Sequence, residues 1–292
     1  MQDFLDDKEL IMCVGFVSRH VERDLSLPKH RDNLLESALI DLTSDSNVLA
    51  IYLAGSLARG NFDKYSDIDL HIIVTNEKKA NYIKNKRNRA RLWGDVLFYE
   101  DFNPSSPVVV THYDSFIKVD SWYHSPEEVV PSIWLKGYKV LYDPNNIISK
   151  AIKESSYEVY KPSSDEVVFW RGKLLAFIHE TYRAVMREEI YYAMSNLDRV
   201  RWLVVSGWYM EMEQHLDSPY GVWSKIEGKR SKLNHWQLSL LENWDCGRNT
   251  NQMMKMLVDM VPEILRLNKY LSKQVNIEEN EDHIKKIIEM AY

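Results

Sequence analysis

The chain has little cysteine, no long apolar run and no surplus of positive charge, and each shortage argues against a class of protein. Only Cys13 and Cys246 occur, far apart and outside any Cys-x-x-Cys or Cys/His metal spacing, so two inert thiols are expected rather than a disulfide framework or a redox pair. No apolar stretch approaches the roughly 18–20 residues that a membrane-spanning helix needs. The opening decapeptide MQDFLDDKEL is acidic, where a secretory leader sets a basic stretch before an apolar one. A cytoplasmic protein with no membrane partner is expected. The 37 Lys and Arg stand against 43 Asp and Glu, a formal net charge of −6. Nucleic-acid binding leans on clustered cations that release counterions, so a nucleic-acid partner is not favoured, although one local basic groove would suffice. Repeats and low-complexity tracts are also missing.

What is present is ordinary globular material, with 45% hydrophobic and 27% charged residues over 292 positions, enough for two domains. Helical spacing of apolar residues is seen over residues 7–24 and 31–43, with Leu27-Pro28 read as a break between two helices. The β-branched run NVLAIYLAGS then ends in a small-residue turn, and SDIDLHIIVT alternates as a strand does. A polar helix is expected over 77–93, then three extended stretches, GDVLFYED, SPVVVTHYD and FIKVDSWYH, then a short helix over 126–136 and a strand over 138–142.

The segment KPSSDE supplies Pro, Ser and an acidic helix start, and puts a boundary near residues 157–164. Beyond it the period changes. Trp170, Leu174, Phe177, Thr181 and Val185 step by three and four, as do Ile190, Ala193, Leu197, Val200 and Val204, and further helical pattern follows at 235–245, 251–272 and 279–291. The fold class is therefore α+β: residues 1–158 form a domain with a mixed β-sheet flanked by helices, and residues 159–292 form an all-α bundle of four or five helices.

The chemistry concentrates in LAGSLARGNFDKYSDIDLHIIV. Alternation along a strand puts Asp67, Asp69 and His71 on one face and Ile68, Leu70 and Ile72 on the other. Neighbouring carboxylates on one face repel, an arrangement that is costly unless a cation lies between them. Magnesium prefers such oxygen ligands and shares them with substrate phosphates. Gly55 lets the backbone come close, and the Ser56 hydroxyl with free N–H groups can hold phosphate oxygens. Arg59 and Lys64, in the loop between the two halves of the motif, are placed to meet a triphosphate. His71 lies on the acidic face, and a hydrogen-bonded supporting role is favoured for it over direct catalysis. The basic run KKANYIKNKRNRARLW, with Tyr82 and Trp93, is read as a solvated helix face more readily than as a nucleic-acid patch.

Gly55-Ser56, ten intervening residues and then Asp67-Ile68-Asp69 resemble the signature of the DNA polymerase β-like nucleotidyltransferases. The resemblance covers roughly residues 35–145. It implies a third carboxylate on a neighbouring strand, for which Asp120 is the best match, with Asp95 and Asp114 as alternatives. It implies in-line attack of an acceptor hydroxyl on the α-phosphorus of a nucleoside triphosphate, with two Mg2+ ions held by Asp67, Asp69 and Asp120 and with Asp120 accepting the hydroxyl proton. The layout, with GYKVLYDP closing the first domain and a helical bundle after it, resembles the antibiotic adenylyltransferases. That likeness implies AMP transfer from ATP to a small-molecule acceptor of the aminoglycoside kind, bound between domains. Within the bundle Glu180 and Glu188 are acidic residues suited to a polycationic acceptor, although charged helix residues are mostly a wet face. The resemblance leaves open a nucleotidyltransferase acting on protein or nucleic acid, or a non-catalytic, antitoxin-like binding protein that keeps the fold.

Overall fold

The computed structural model describes residues 18–292, which divide into two compact units that part between Glu158 and Val159. Cys13 and the first part of the helix expected over 7–24 lie outside the described residues. The expected break at Leu27-Pro28 does not occur, because α1 (Val21–Thr43) runs straight through Pro28. A proline inside a helix removes one hydrogen bond and crowds the preceding turn, at about 3 kcal/mol. Burial on one face of α1 offsets this: Leu27, Leu34, Ala38 and Leu42 are in the core, and buried Arg31 donates from Nη1 to the Asp63 carbonyl at 2.8 Å.

In the first unit β1 (Val48–Leu53), α2 (Gly55–Arg59), β2 (Ile68–Val74), α3 (Asn76–Ala90), β3 (Val96–Glu100), β4 (Val108–Tyr113), β5 (Lys118–His124), β6 (Lys139–Tyr142) and α4 (Ile147–Ser155) follow in chain order. The six strands form one mixed sheet in the order β3-β4-β5-β2-β1-β6. β2 and β5 run parallel while the other pairs are antiparallel. Ile51, Leu53, Ile68, Leu70 and Ile72 point to one face, where Leu27, Leu34 and Leu42 of α1 and Tyr82 of α3 complete a core. On the opposite face Ala50, Tyr52 and Ile73 are covered by Leu135 and by Ile148 and Ala151 of α4. The carboxylates of β2 and β5 are carried on this second face.

The helix expected over 126–136 is two separate 3-10 turns, Pro126–Glu128 and Ile133–Leu135. Pro131 stands between them, removing a donor and pushing the residue before it to extended backbone. Helix α4 was hidden in the sequence by the Asp143-Pro144 stop. The Asp143 carboxylate starts it by accepting from the N–H groups of Ile147 and Ser149, each at 2.8 Å.

The second unit contains α5 (Ser164–Met186), α6 (Ile190–Glu211), α7 (His235–Asn243), α8 (Thr250–Gln274) and α9 (Glu281–Glu289), which makes five helices among the described residues. A capping box opens α5: Ser163 Oγ accepts from Glu166 N at 3.2 Å, and Glu166 Oε2 accepts from Ser163 N at 2.8 Å. Trp170, Leu174, Leu197, Val200 and Val204 are all core residues. Gly207 lets the helices close up, because a Cβ there would stand 3.0 Å from Leu267 Cδ1 and 3.1 Å from Trp170 Cζ2.

Lys86 holds the loop that feeds β4. It is 2% exposed, donates to the carbonyls of Asn103, Ser106 and Val108 at 3.1, 2.9 and 2.9 Å, and pairs with Asp101 at 2.7 Å. Removing one partner of a buried pair leaves the other charge uncompensated. Lys86→Met is therefore expected to cost about 3–5 kcal/mol in urea unfolding, whereas Arg87→Ala, on the exposed side of the same carboxylate, should cost under about 1 kcal/mol.

Candidate active site

The parallel pairing of β2 with β5 sets Asp69 directly opposite Asp120 and His71 opposite Trp122. Asp67 joins them from the position just before β2. Each of the three carboxylates offers an oxygen, and these oxygens lie within 4.8 Å of one another. Of the three candidates for the third acid, Asp120 is the one in the cluster. Asp95 and Asp114 are exposed and lie outside it, at the β3–β4 edge, where Asp114 N donates to Asp95 O at 2.9 Å.

Gly55 is required here for two reasons. Its φ is +63°, and a Cβ built on it would lie 1.8 Å from Asp69 Oδ2, so any side chain at 55 would displace the carboxylate. Buried Ser56 follows in the first turn of α2, where the leading N–H groups have no acceptor within the helix. Arg59 ends α2 and lies over Gly137, whose added Cβ would be 3.4 Å from Arg59 Cγ. Lys64 stands with its ammonium 5.3 Å from the centre of the Tyr65 ring, and it is not brought into the carboxylate cluster.

A cation already bridges the acids. Lys118, the first residue of β5, places Nζ 2.7 Å from Asp67 Oδ2 and 3.0 Å from Asp120 Oδ1. Burial alone would push this ammonium down, but Asp67 and Asp120 outweigh it and hold Lys118 above its usual range. Burial pushes the Asp120 carboxyl up from the ordinary carboxylate range, against the pull of Lys118 and with the help of Asp67 and Glu100. One ammonium shared between two carboxylates thus compensates them only in part, and the oxygen-only donor set suits a hard divalent cation.

The family model described as streptomycin adenylyltransferase matches residues 29–291. The chain belongs to the streptomycin adenylyltransferase family. This family member is a nucleotidyltransferase, and the match runs through both units, including the helical one in which the sequence offered only architecture. Among solved structures it is similar to an aminoglycoside 6-adenyltransferase from Bacillus subtilis, with a TM-score of 0.42 at 15% identity over 90% of this chain and 97% of that one. It is also similar to a nucleotidyltransferase-like protein from Exiguobacterium sibiricum 255-15, with a TM-score of 0.40 at 10% identity over 85% and 80% of the two chains. Both likenesses are loose, and the assignment rests on the family model. No curated protein matches the sequence.

Other residues of this streptomycin adenylyltransferase relative fall into supporting places. Part of the basic run on and after α3 is held in ion pairs, Lys79 with Glu128, Arg87 with Asp101 at 2.7 Å and Arg89 with Asp45 at 3.0 Å, and its rings Tyr82 and Trp93 are buried. No helix of the described residues is long and apolar enough to cross a membrane. Cys246 is a half-buried free thiol. Glu180 pairs with Arg183, and Glu188 occupies a turn with φ of 60°.

Sequence reading did not foresee two features. One is Lys118, whose shared face with Asp120 follows from alternation but whose reach to Asp67 depends on the β2–β5 register. The other is the pairing of His71 Nδ1 with His124 Nε2 at 2.9 Å, with the His71 ring stacked 4.8 Å from Tyr52 and 5.9 Å from Trp122.

Burial, reinforced by His124, pushes His71 down to about 3, so it is neutral at physiological pH. The unfolded chain then binds a proton near pH 6.5 that the folded chain refuses down to about pH 3, so this contribution to stability is whole above 6.5 and is lost as pH falls through that window. Unfolding midpoints measured from pH 7.5 to 5 should fall less steeply for His71→Gln than for the wild type, and parallel curves would contradict this assignment.

Proposed function

We propose that this nucleotidyltransferase moves AMP from ATP to a hydroxyl of a small-molecule acceptor, an antibiotic of the aminoglycoside class, in the cytoplasm where ATP and magnesium are abundant. The observation that carries the reading is the cluster of Asp67, Asp69 and Asp120, with oxygens within 4.8 Å, beside a Gly55-Ser56 turn. Membership of the streptomycin adenylyltransferase family supports the acceptor class.

Asp67, Asp69 and Asp120 would hold two divalent ions, which when bound supply charge neutralisation along the triphosphate. The donor set fits them: the oxygens converge, an ammonium is already drawn in between, and Gly55 leaves Asp69 room. The N–H groups at the start of α2 and the Ser56 hydroxyl would bind phosphate oxygens, with Arg59 nearby, and Lys64, which rests against Tyr65, would have to turn inward from its loop to join them. Asp120 is the base. Burial raises its proton affinity, which suits a carboxylate oxygen of Asp120 to take the proton of the acceptor hydroxyl while the hydroxyl oxygen bonds to the α-phosphorus and the bond from that phosphorus to pyrophosphate breaks. Most of the remaining catalysis is positioning. The residues that select the acceptor are assigned to the helical unit.

Pyrophosphate release from ATP, GTP and CTP with Mg2+ should be measured against a panel of aminoglycosides and lincosamides. Release is expected with ATP and an aminoglycoside. Asp120→Asn should lower kcat by about 10²–10⁴ without loss of folded protein, with Asp67→Asn and Asp69→Asn at least as severe. Silence of the wild type with every acceptor would turn the reading toward a macromolecular acceptor or a binding protein.

A further inference from the structure

Lys118 has no task in the transfer as described, yet its ammonium lies between the very carboxylates that would take an ion. We propose that Lys118 is an internal counter-ion, which bridges Asp67 and Asp120 while the site is metal-free and must swing aside before a divalent cation can bind. The inference rests on the reading of the three acids as a divalent-ion site.

Geometry carries it. Nζ is 2.7 Å from Asp67 Oδ2 and 3.0 and 3.1 Å from the two Asp120 oxygens, which is hydrogen-bonding range for an ammonium. A divalent ion binding the same oxygens would sit at about 2.0–2.6 Å from them. The two cations would then compete for one gap, and like charges that close repel strongly. Lys118 also has a way out. Its side chain is 32% exposed, it begins β5 at the edge of a turn, and its flexible four-carbon stem lets the head relocate.

Two consequences follow for this chain. Without metal, Lys118 relieves the repulsion that would otherwise spread Asp67 from Asp120. With metal alone, binding is weakened by the displacement of Lys118. The negative charge of a triphosphate favours both cations at once, so ions and nucleotide should load together.

The test is Mn2+ binding to the metal-stripped full chain without nucleotide, read by the electron paramagnetic resonance of free Mn2+. Melting temperatures in chelator and in saturating Mn2+ are measured alongside. Lys118→Met should bind Mn2+ on the order of tenfold more tightly than the wild type. It should also melt lower in chelator, with most of that deficit removed by Mn2+. An unchanged or weaker Kd in Lys118→Met would overturn the proposal while leaving the metal site standing. Absence of Mn2+ binding in both proteins would overturn the metal reading and the proposal together. Should Lys118→Met fail to fold in chelator, Lys118→Arg serves instead: its guanidinium can fork across both carboxylates, so Mn2+ should bind no more tightly than to the wild type, and tighter binding would overturn the proposal.

Discussion

The parallel contact between β2 and β5 is the constraint on which the site depends. It brings Asp69 of one strand opposite Asp120 of the next, and like charges at that spacing are tolerated only with a cation close by. Shifting either strand by one residue would turn its acids into the core and its Ile and Val residues toward the site. The register is secured from the other face of the sheet, where Ile68, Leu70, Ile72 and Val119 are almost wholly buried against α1 and α3. The apolar half of each strand therefore aims the acidic half.

The rest of the first unit reads as support for that contact. Gly55 gives up its Cβ so that Asp69 can occupy the space. Arg31 ties α1 to the loop between the two halves of the motif. Beyond the acids, the neutral pair His71 and His124 and the rings of Tyr52 and Trp122 fill the same sheet face. Holding a polar cluster this close costs desolvation, visible in the raised Asp120 and the depressed His71.

Membership of the streptomycin adenylyltransferase family makes the chain a nucleotidyltransferase, and the convergence of Asp67, Asp69 and Asp120 is compatible with that chemistry. The family match extends through the helical bundle. The bundle's own physics is that of a packed core, with Trp170, Trp208 and Leu267 buried around the close approach at Gly207. Its acids, such as half-buried Glu180 paired with Arg183, have the character of a helix face rather than of a built pocket.

By itself the sequence determined whatever is local. Alternation over SDIDLHIIV assigned Asp67, Asp69 and His71 to one face, the Gly-Ser to Asp-x-Asp spacing carried the resemblance to the nucleotidyltransferases, and the three-and-four stepping from Trp170 to Val204 marked two long helices. These signals sit within a few residues of one another, so backbone geometry alone translates them into direction. Tertiary structure decided everything that depends on which distant segments meet. It selected Asp120 over Asp95 and Asp114, delivered Lys118 to Asp67 across two strands, paired His71 with His124, and carried α1 through Pro28 because the buried leucines on either side outweigh one lost hydrogen bond. Strand pairing and burial are set by the summed packing of the whole unit, and no single window of residues contains that sum.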